Sequence, residues 1–134
     1  MGNSAPGAEM DRKMRILVVD DHQIFRKILR QIIDIQNDME VIAEADNGLS
    51  AIEQVQKFRP DVVMMDIRMP VIDGIDATRQ IKSRFPETSI IALSSHSNGT
   101  YAEKMLEAGA SDYLNKFSSC SDLIKCIYNV WSGG

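Results

Sequence analysis

Two apolar stretches of this 134-residue chain end on acids. "VVMMDIRMPVIDG", residues 62–74, runs through Val62 to Met65 and then meets Asp66. "ILVVDD", residues 16–21, closes on Asp20 and Asp21. Three carboxylates cannot gather without help: two unit charges 4 Å apart repel by roughly 4 kcal/mol at an effective dielectric near 20. Either protons move onto the cluster or a cation sits in it. Carboxylate, carbonyl and water ligands suit a hard ion such as Mg²⁺, with Mn²⁺ as a substitute. An ion held by one or two acids keeps open positions and can bridge to a phosphoryl group. Asp66 is then a candidate nucleophile, since aspartyl-phosphate chemistry is an established use of a carboxylate. Charge must also be met from the other side. Lys116 offers an ammonium for a carboxylate or a phosphoryl oxygen, and Ser94 a hydroxyl donor.

For these groups to meet, the elements carrying them must converge. Short β-branched or apolar runs occur at 15–19 (RILVV), 39–44 (MEVIAE), 61–65 (DVVMM), 89–93 (SIIAL) and 111–115 (SDYLN). Between them lie segments of helical spacing. Ile24, Ile28 and Ile32 recur every four residues, joined by Phe25, Leu29 and Ile33. Ile52 and Val55 point inward in the second helical segment, Ala77, Ile81 and Phe85 in the third, and Ala102, Met105 and Leu106 in the fourth. Ile124, Ile127 and Trp131 mark the fifth. Asp21 is placed to cap the first helix. Pro60 and Pro86 break helices before the next strand. Gly109 suits a left-handed position after the fourth helix, and Ser119 with Asp122 resembles a capping pair for the fifth. Five βα units with short connections predict a flavodoxin-like α/β fold: a five-stranded parallel sheet of order 2-1-3-4-5 with helices on both faces. Ligands of such sheets bind past the carboxyl ends of the strands at the switch point, here between strands 1 and 3. Asp20, Asp21 and Asp66 are expected at that crevice.

Composition is that of one ordinary globular domain, with 44% hydrophobic and 25% charged residues. A net charge of −4 argues against nonspecific binding of this chain to nucleic acid or an anionic membrane. No apolar run approaches the roughly 18 residues of a membrane span, and no secretory leader is visible. Cys120 and Cys126 are six apart in a predicted helix, too far to pair with each other. Free thiols fit a reducing, cytoplasmic setting. Residues 1–13 read as a disordered tail or an expression scar, and 14–132 as the folded domain.

"VVDDHQIFR", "MMDIRMPVIDG", "IIALSS" and "GASDYLNK" together resemble the receiver domain of two-component response regulators, in the family's order and spacing across about residues 14–132. The resemblance implies that Asp66 accepts a phosphoryl group from a sensor histidine kinase. It implies that Asp20, Asp21, Asp66 and the backbone carbonyl of Arg68 hold Mg²⁺, and that Ser94 and Lys116 contact the phosphoryl oxygens. Tyr113 matches the aromatic position that moves with Ser94 in the switch. "DDHQIFR", "YLNKFSS" and "VWSGG" are most similar to the LuxR/NarL branch, whose C-terminal helix-turn-helix binds DNA. Such an effector is expected to lie outside this chain, with homodimerisation on phosphorylation. One departure is Phe117, where many receivers carry proline after the lysine.

Plainer roles stand beside these. Asp21 could be an N-cap alone, Lys116 a solvated lysine and Tyr113 a strand residue covering the core. His22 reads as an exposed residue early in the first helix, since neither histidine fits a zinc spacing. His96 and the Arg68 side chain lie near the site and are candidates to influence phosphoryl loss. Two other functions use related parts. A phosphatase of the haloacid dehalogenase class needs an acid two residues after its nucleophile, where this chain has Arg68. A flavodoxin-like electron carrier needs hydroxyls and amides in the first loop, where this chain has carboxylates.

Overall fold

The computed structural model describes residues 12–95 and 99–133. Strands and helices alternate: β1 (Met14–Val19), α1 (Gln23–Asp34), β2 (Met39–Ala45), α2 (Gly48–Phe58), β3 (Val62–Asp66), α3 (Gly74–Arg84), β4 (Ser89–Ser94), α4 (Gly99–Ala108), β5 (Asp112–Asn115) and α5 (Cys120–Gly133). The strands form one sheet of order β2-β1-β3-β4-β5, and every pairing is parallel.

The central strands are apolar throughout because both of their faces are covered. Successive side chains point to opposite faces. Leu17, Val19, Val63, Met65, Ile90 and Ala92 therefore pack with Ala51, Ile52 and Val55 of α2, Ala77 and Ile81 of α3 and Met105 of α4. Ile16, Val18, Val62, Met64, Ile91 and Leu93 pack on the other side with Leu29 and Ile33 of α1 and Leu123, Ile127 and Val130 of α5. Each fully buried aliphatic side chain contributes on the order of 1.5–3 kcal/mol relative to exposure. The sheet that carries the acids is thus clamped between two cores.

Local signals explain the ends of the helices. Asn47 and Asp73 cap α2 and α3, accepting from the backbone N–H groups of Ser50 and Asp76. Ser119 Oγ accepts from Asp122 N at the start of α5. Arg59 ends α2 in the left-handed region at φ 48°, just before Pro60, and Gly109 has φ 118° after α4.

Three expectations need correction. Asp21 does not cap α1: the helix starts at Gln23, so His22 takes the cap position, and it makes no side-chain cap bond. Ile24 and Ile28 do not face the core but are 75% and 45% exposed, while Leu29 and Ile33 are buried. A helix repeat of four residues drifts by about 40° per step, so the isoleucine row winds off the buried face. Leu106 is likewise exposed, leaving Ala102 and Met105 to hold α4.

Candidate functional site

Asp20 follows β1, Asp66 is the last residue of β3, Ser94 the last of β4, and Lys116 follows β5. The in-register parallel ladders bring these ends to one edge. Asp66 pairs in register with Leu93, and the backbone N–H of Lys116 donates to the Ser94 carbonyl at 2.8 Å.

Asp20 is fully buried. Its backbone N–H donates to the Ala45 carbonyl at 3.0 Å, and its own carbonyl accepts from Arg26 Nη1 at 2.7 Å. Arg26 is in turn held by Glu44 at 3.0 Å. One carboxylate oxygen, Oδ1, accepts from the His22 backbone N–H at 2.8 Å. The other, Oδ2, receives no well-directed hydrogen bond, and its charge is met by the Lys116 ammonium at 2.5 Å. The same ammonium lies 3.6 Å from Asp66 Oδ2 and 4.7 Å from the centroid of the Phe25 ring. Lys116 is nearly buried, with 8% of its side chain exposed, so it is not a solvated lysine.

Asp66 is pushed up to about 7 from the usual carboxylate range. Burial is the main cause, the nearby Asp20 charge adds to it, and Lys116 opposes it. A buried acid held this close to ionised neighbours lacks positive charge. Ligand atoms of Asp20, Asp21, His22 and Asp66 all lie within 4.8 Å of one another, a spacing at which one cation could hold them. The excess of negative charge, three acids against the single Lys116 ammonium, and the all-oxygen character of those acids fit a hard divalent ion.

A cleft of about 190 Å³ opens over Asp66, lined by His22, Ile67, Arg68, Ser94, Ser95, Tyr101 and Lys116. Ser94 is 6% exposed. Arg68 stacks on Tyr101 at 5.6 Å and shares with it a second, neighbouring cleft that reaches Asp21. Of the predicted site residues, Tyr113 stands apart. It does not line the cleft and is 47% exposed, so it does not cover the core either. His96 lies outside the described residues. The peptide after Lys116 is trans.

Close approach of backbone completes the site. A Cβ on Gly74 would sit 2.1 Å from the Asp66 carbonyl oxygen, and one on Gly48 2.1 Å from that of Ile72. Only glycine lets α3 begin against the end of β3. Sequence reasoning did not single out Tyr101 or Phe25. Each is an ordinary helix residue until the fold sets it beside Arg68 or Lys116.

Residues 16–128 match the family profile of the response regulator receiver domain. The chain belongs to the response regulator receiver family. It is 38% identical over 124 residues to the transcriptional regulatory protein DegU of Brevibacillus brevis, covering 92% of this chain and 52% of that protein. Over 111 residues it is 46% identical to a protein-glutamate methylesterase/protein-glutamine glutaminase of Pyrococcus horikoshii, covering 82% of this chain and 30% of that protein. Among solved structures, a LuxR-family two-component response regulator from Aurantimonas superposes with TM-score 0.86 at 35% identity, covering 90% of this chain and 86% of that one. The receiver thus spans about half the length of DegU and under a third of the methylesterase. It is a signalling domain, and its relatives join it to different outputs. No helix among the described residues is long and apolar enough to cross a membrane.

Proposed function

We propose that this receiver is a phosphorylation switch in which Asp66 accepts a phosphoryl group from a sensor histidine kinase. The observation that carries the reading is the position of the Asp66 carboxylate between the acid cluster and the Lys116 ammonium, 3.6 Å away, at the floor of an open cleft.

In the proposed step an Asp66 oxygen attacks phosphorus of a phosphohistidine, the P–N bond breaks, and its electron pair stays on the imidazole. Asp20, Asp21, Asp66 and the Arg68 carbonyl would hold Mg²⁺, which when bound supplies charge neutralisation for the phosphoryl oxygens. Burial keeps Asp66 poorly hydrated, and a poorly hydrated carboxylate is a better nucleophile once ionised. Lys116 would pass from its ion pair with Asp20 to a phosphoryl oxygen, and Ser94 would donate to another. Aspartyl phosphate adds nearly two negative charges and three acceptors. That favours the arrangement in which Ser94 turns inward, with Tyr113 on β5 rotating from its half-exposed position. The receiver also supports its own Mg²⁺-dependent phosphorylation from small phosphodonors and its own dephosphorylation. Its DegU-like relationship supports a cytoplasmic regulator whose output, through a DNA-binding effector and dimerisation, is transcription.

Incubation with acetyl phosphate and Mg²⁺ is expected to add one phosphoryl mass to the chain. EDTA or Asp66→Asn abolishes the addition. Stoichiometric labelling of Asp66→Asn would refute the site. Steady turnover of p-nitrophenyl phosphate would favour the phosphatase alternative instead.

A further inference from the structure

The backbone of Asp20 is held at both ends by the edge strand β2, once directly and once through a guanidinium. We propose that Arg26, anchored by Glu44, is a positioning residue for the phosphoacceptor centre: it fixes the main chain of the acid loop and so keeps Asp20 and Asp21 aimed at an ion before the ion arrives. The inference rests on reading the acid cluster as a metal site.

Arg26 stands one turn into α1, where its own N–H donates to the His22 carbonyl at 3.1 Å. Side chains on a helix lean toward its N-terminus. The guanidinium therefore reaches back over the acid loop, and Nη1 donates to the Asp20 carbonyl at 2.7 Å. That carbonyl precedes α1 and has no place in the helix's own ladder, which begins at the cap residue His22. Nε of the same guanidinium donates to Glu44 Oε1 at 3.0 Å. The other oxygen of Glu44 accepts from Arg30, one turn further along α1. Glu44 pairs in register with Val18, and the next residue, Ala45, accepts from the Asp20 N–H at 3.0 Å. Adjacent residues of β2 thus fix the Asp20 N–H and, through Arg26, the Asp20 carbonyl. The peptide so held is the one that leads into Asp21.

Charge shows that the contribution is one of direction. Arg30 also lies 3.7 Å from Asp34, so Arg26 and Arg30 meet Glu44 and Asp34 and the network adds no net charge beside the acids. The Arg26 side chain is only 16% exposed, which keeps its donors on protein acceptors instead of water. In the empty site the acids repel one another, and a loop free to move would separate them. Arg26 opposes that relaxation.

Calorimetric titration of the full chain with Mg²⁺, read beside its urea midpoint, tests this. Arg26→Gln is expected to weaken Mg²⁺ by about tenfold to a hundredfold, the range for losing an outer support at a metal centre. The double variant Arg26→Met with Glu44→Leu removes the donor and the ion pair together. Apolar replacement of an enclosed ion pair leaves stability unchanged or raised. Its urea midpoint is therefore expected to stay near that of the parent, while its Mg²⁺ affinity falls as far as in Arg26→Gln. The ammonium of Arg26→Lys still donates to a carbonyl, so this variant is expected to bind Mg²⁺ more tightly than either. Titrations are compared at a temperature where circular dichroism shows each protein folded. The comparison of Arg26→Gln with Arg26→Lys decides the matter if the double variant does not fold. Parent-like affinity in the double variant, affinity losses that track the urea midpoint, or Arg26→Lys no tighter than Arg26→Gln overturns the assignment and leaves the phosphoacceptor reading intact. Failure of the parent chain to bind Mg²⁺ overturns both.

Discussion

Asp66 must ionise to act as a nucleophile, yet its surroundings favour the neutral acid. Burial and the Asp20 charge raise it to about 7, and Lys116 offsets only part of this. The sign of the consequence follows directly. The folded state holds its proton more tightly than the unfolded chain, whose Asp titrates near about 4. Folding is therefore favoured as pH falls from about 7 toward 4 and disfavoured above 7, where the buried acid is ionised. In metal-free protein Asp66→Asn is expected to raise Tm at pH 8, with the gain shrinking toward pH 5. Thermal melts at the two pH values measure it, and an equal gain at both contradicts the assigned cause. Among single residues, the chemistry-bearing acids, the lysine and the serine were legible because each sits at the end of an apolar run. His22 was not. Its sequence position marks the start of a helix, and only the folded structure sets its ring Nδ1 3.0 Å from Asp20 Oδ1.

The elements hold the site through a few tight contacts. The loop from β3 to α3 folds back so closely that Gly74 lies against the Asp66 carbonyl, with its N–H donating to Ile67 O at 2.7 Å. Gly74→Ala is expected to destabilise the fold by about 1–3 kcal/mol, the usual cost of overpacking, and to slow acetyl phosphate labelling by shifting Asp66. A lowered urea midpoint together with slower labelling is the expected pair of results. Unchanged labelling would show that the loop yields without moving the acid. The caps at Asn47 and Asp73 hold the starts of α2 and α3, and each contributes about 1 kcal/mol. The buried face of α1 was less readable. Its isoleucines alone suggest a repeat of four, but packing against β1 and β2 selects Leu29 and Ile33 and leaves Ile24, Ile28 and Ile35 in solvent.

For the whole molecule, an ion that binds the folded site and not the unfolded chain stabilises the fold by mass action. At Mg²⁺ near one hundred times its dissociation constant the gain is about 2.7 kcal/mol, a rise in Tm on the order of 10 °C for a domain of this size. Asp20→Asn is expected to remove most of that rise, and calorimetry with and without Mg²⁺ checks it. Global packing also divides the two cysteines. Cys120 is exposed, whereas Cys126 is buried in α5 beside Asp112, and burial and that charge push its thiol up to about 12. Iodoacetamide at pH 8 is expected to modify Cys120 promptly and Cys126 only as the domain unfolds, as read by mass spectrometry.

Strand order, the two-sided core and the gathering of Asp20, Asp21, Asp66, Ser94 and Lys116 follow from the order of residues along the chain. Periodicity sets which segments are strands and helices, and right-handed parallel connections leave little choice of where their ends meet. Tertiary structure alone decided which hydrophobic face of α1 is buried, how far Asp66 is raised, and that His22 and Tyr101 border the site. Those properties come from distances between side chains and from exclusion of water, and neither is encoded in linear spacing.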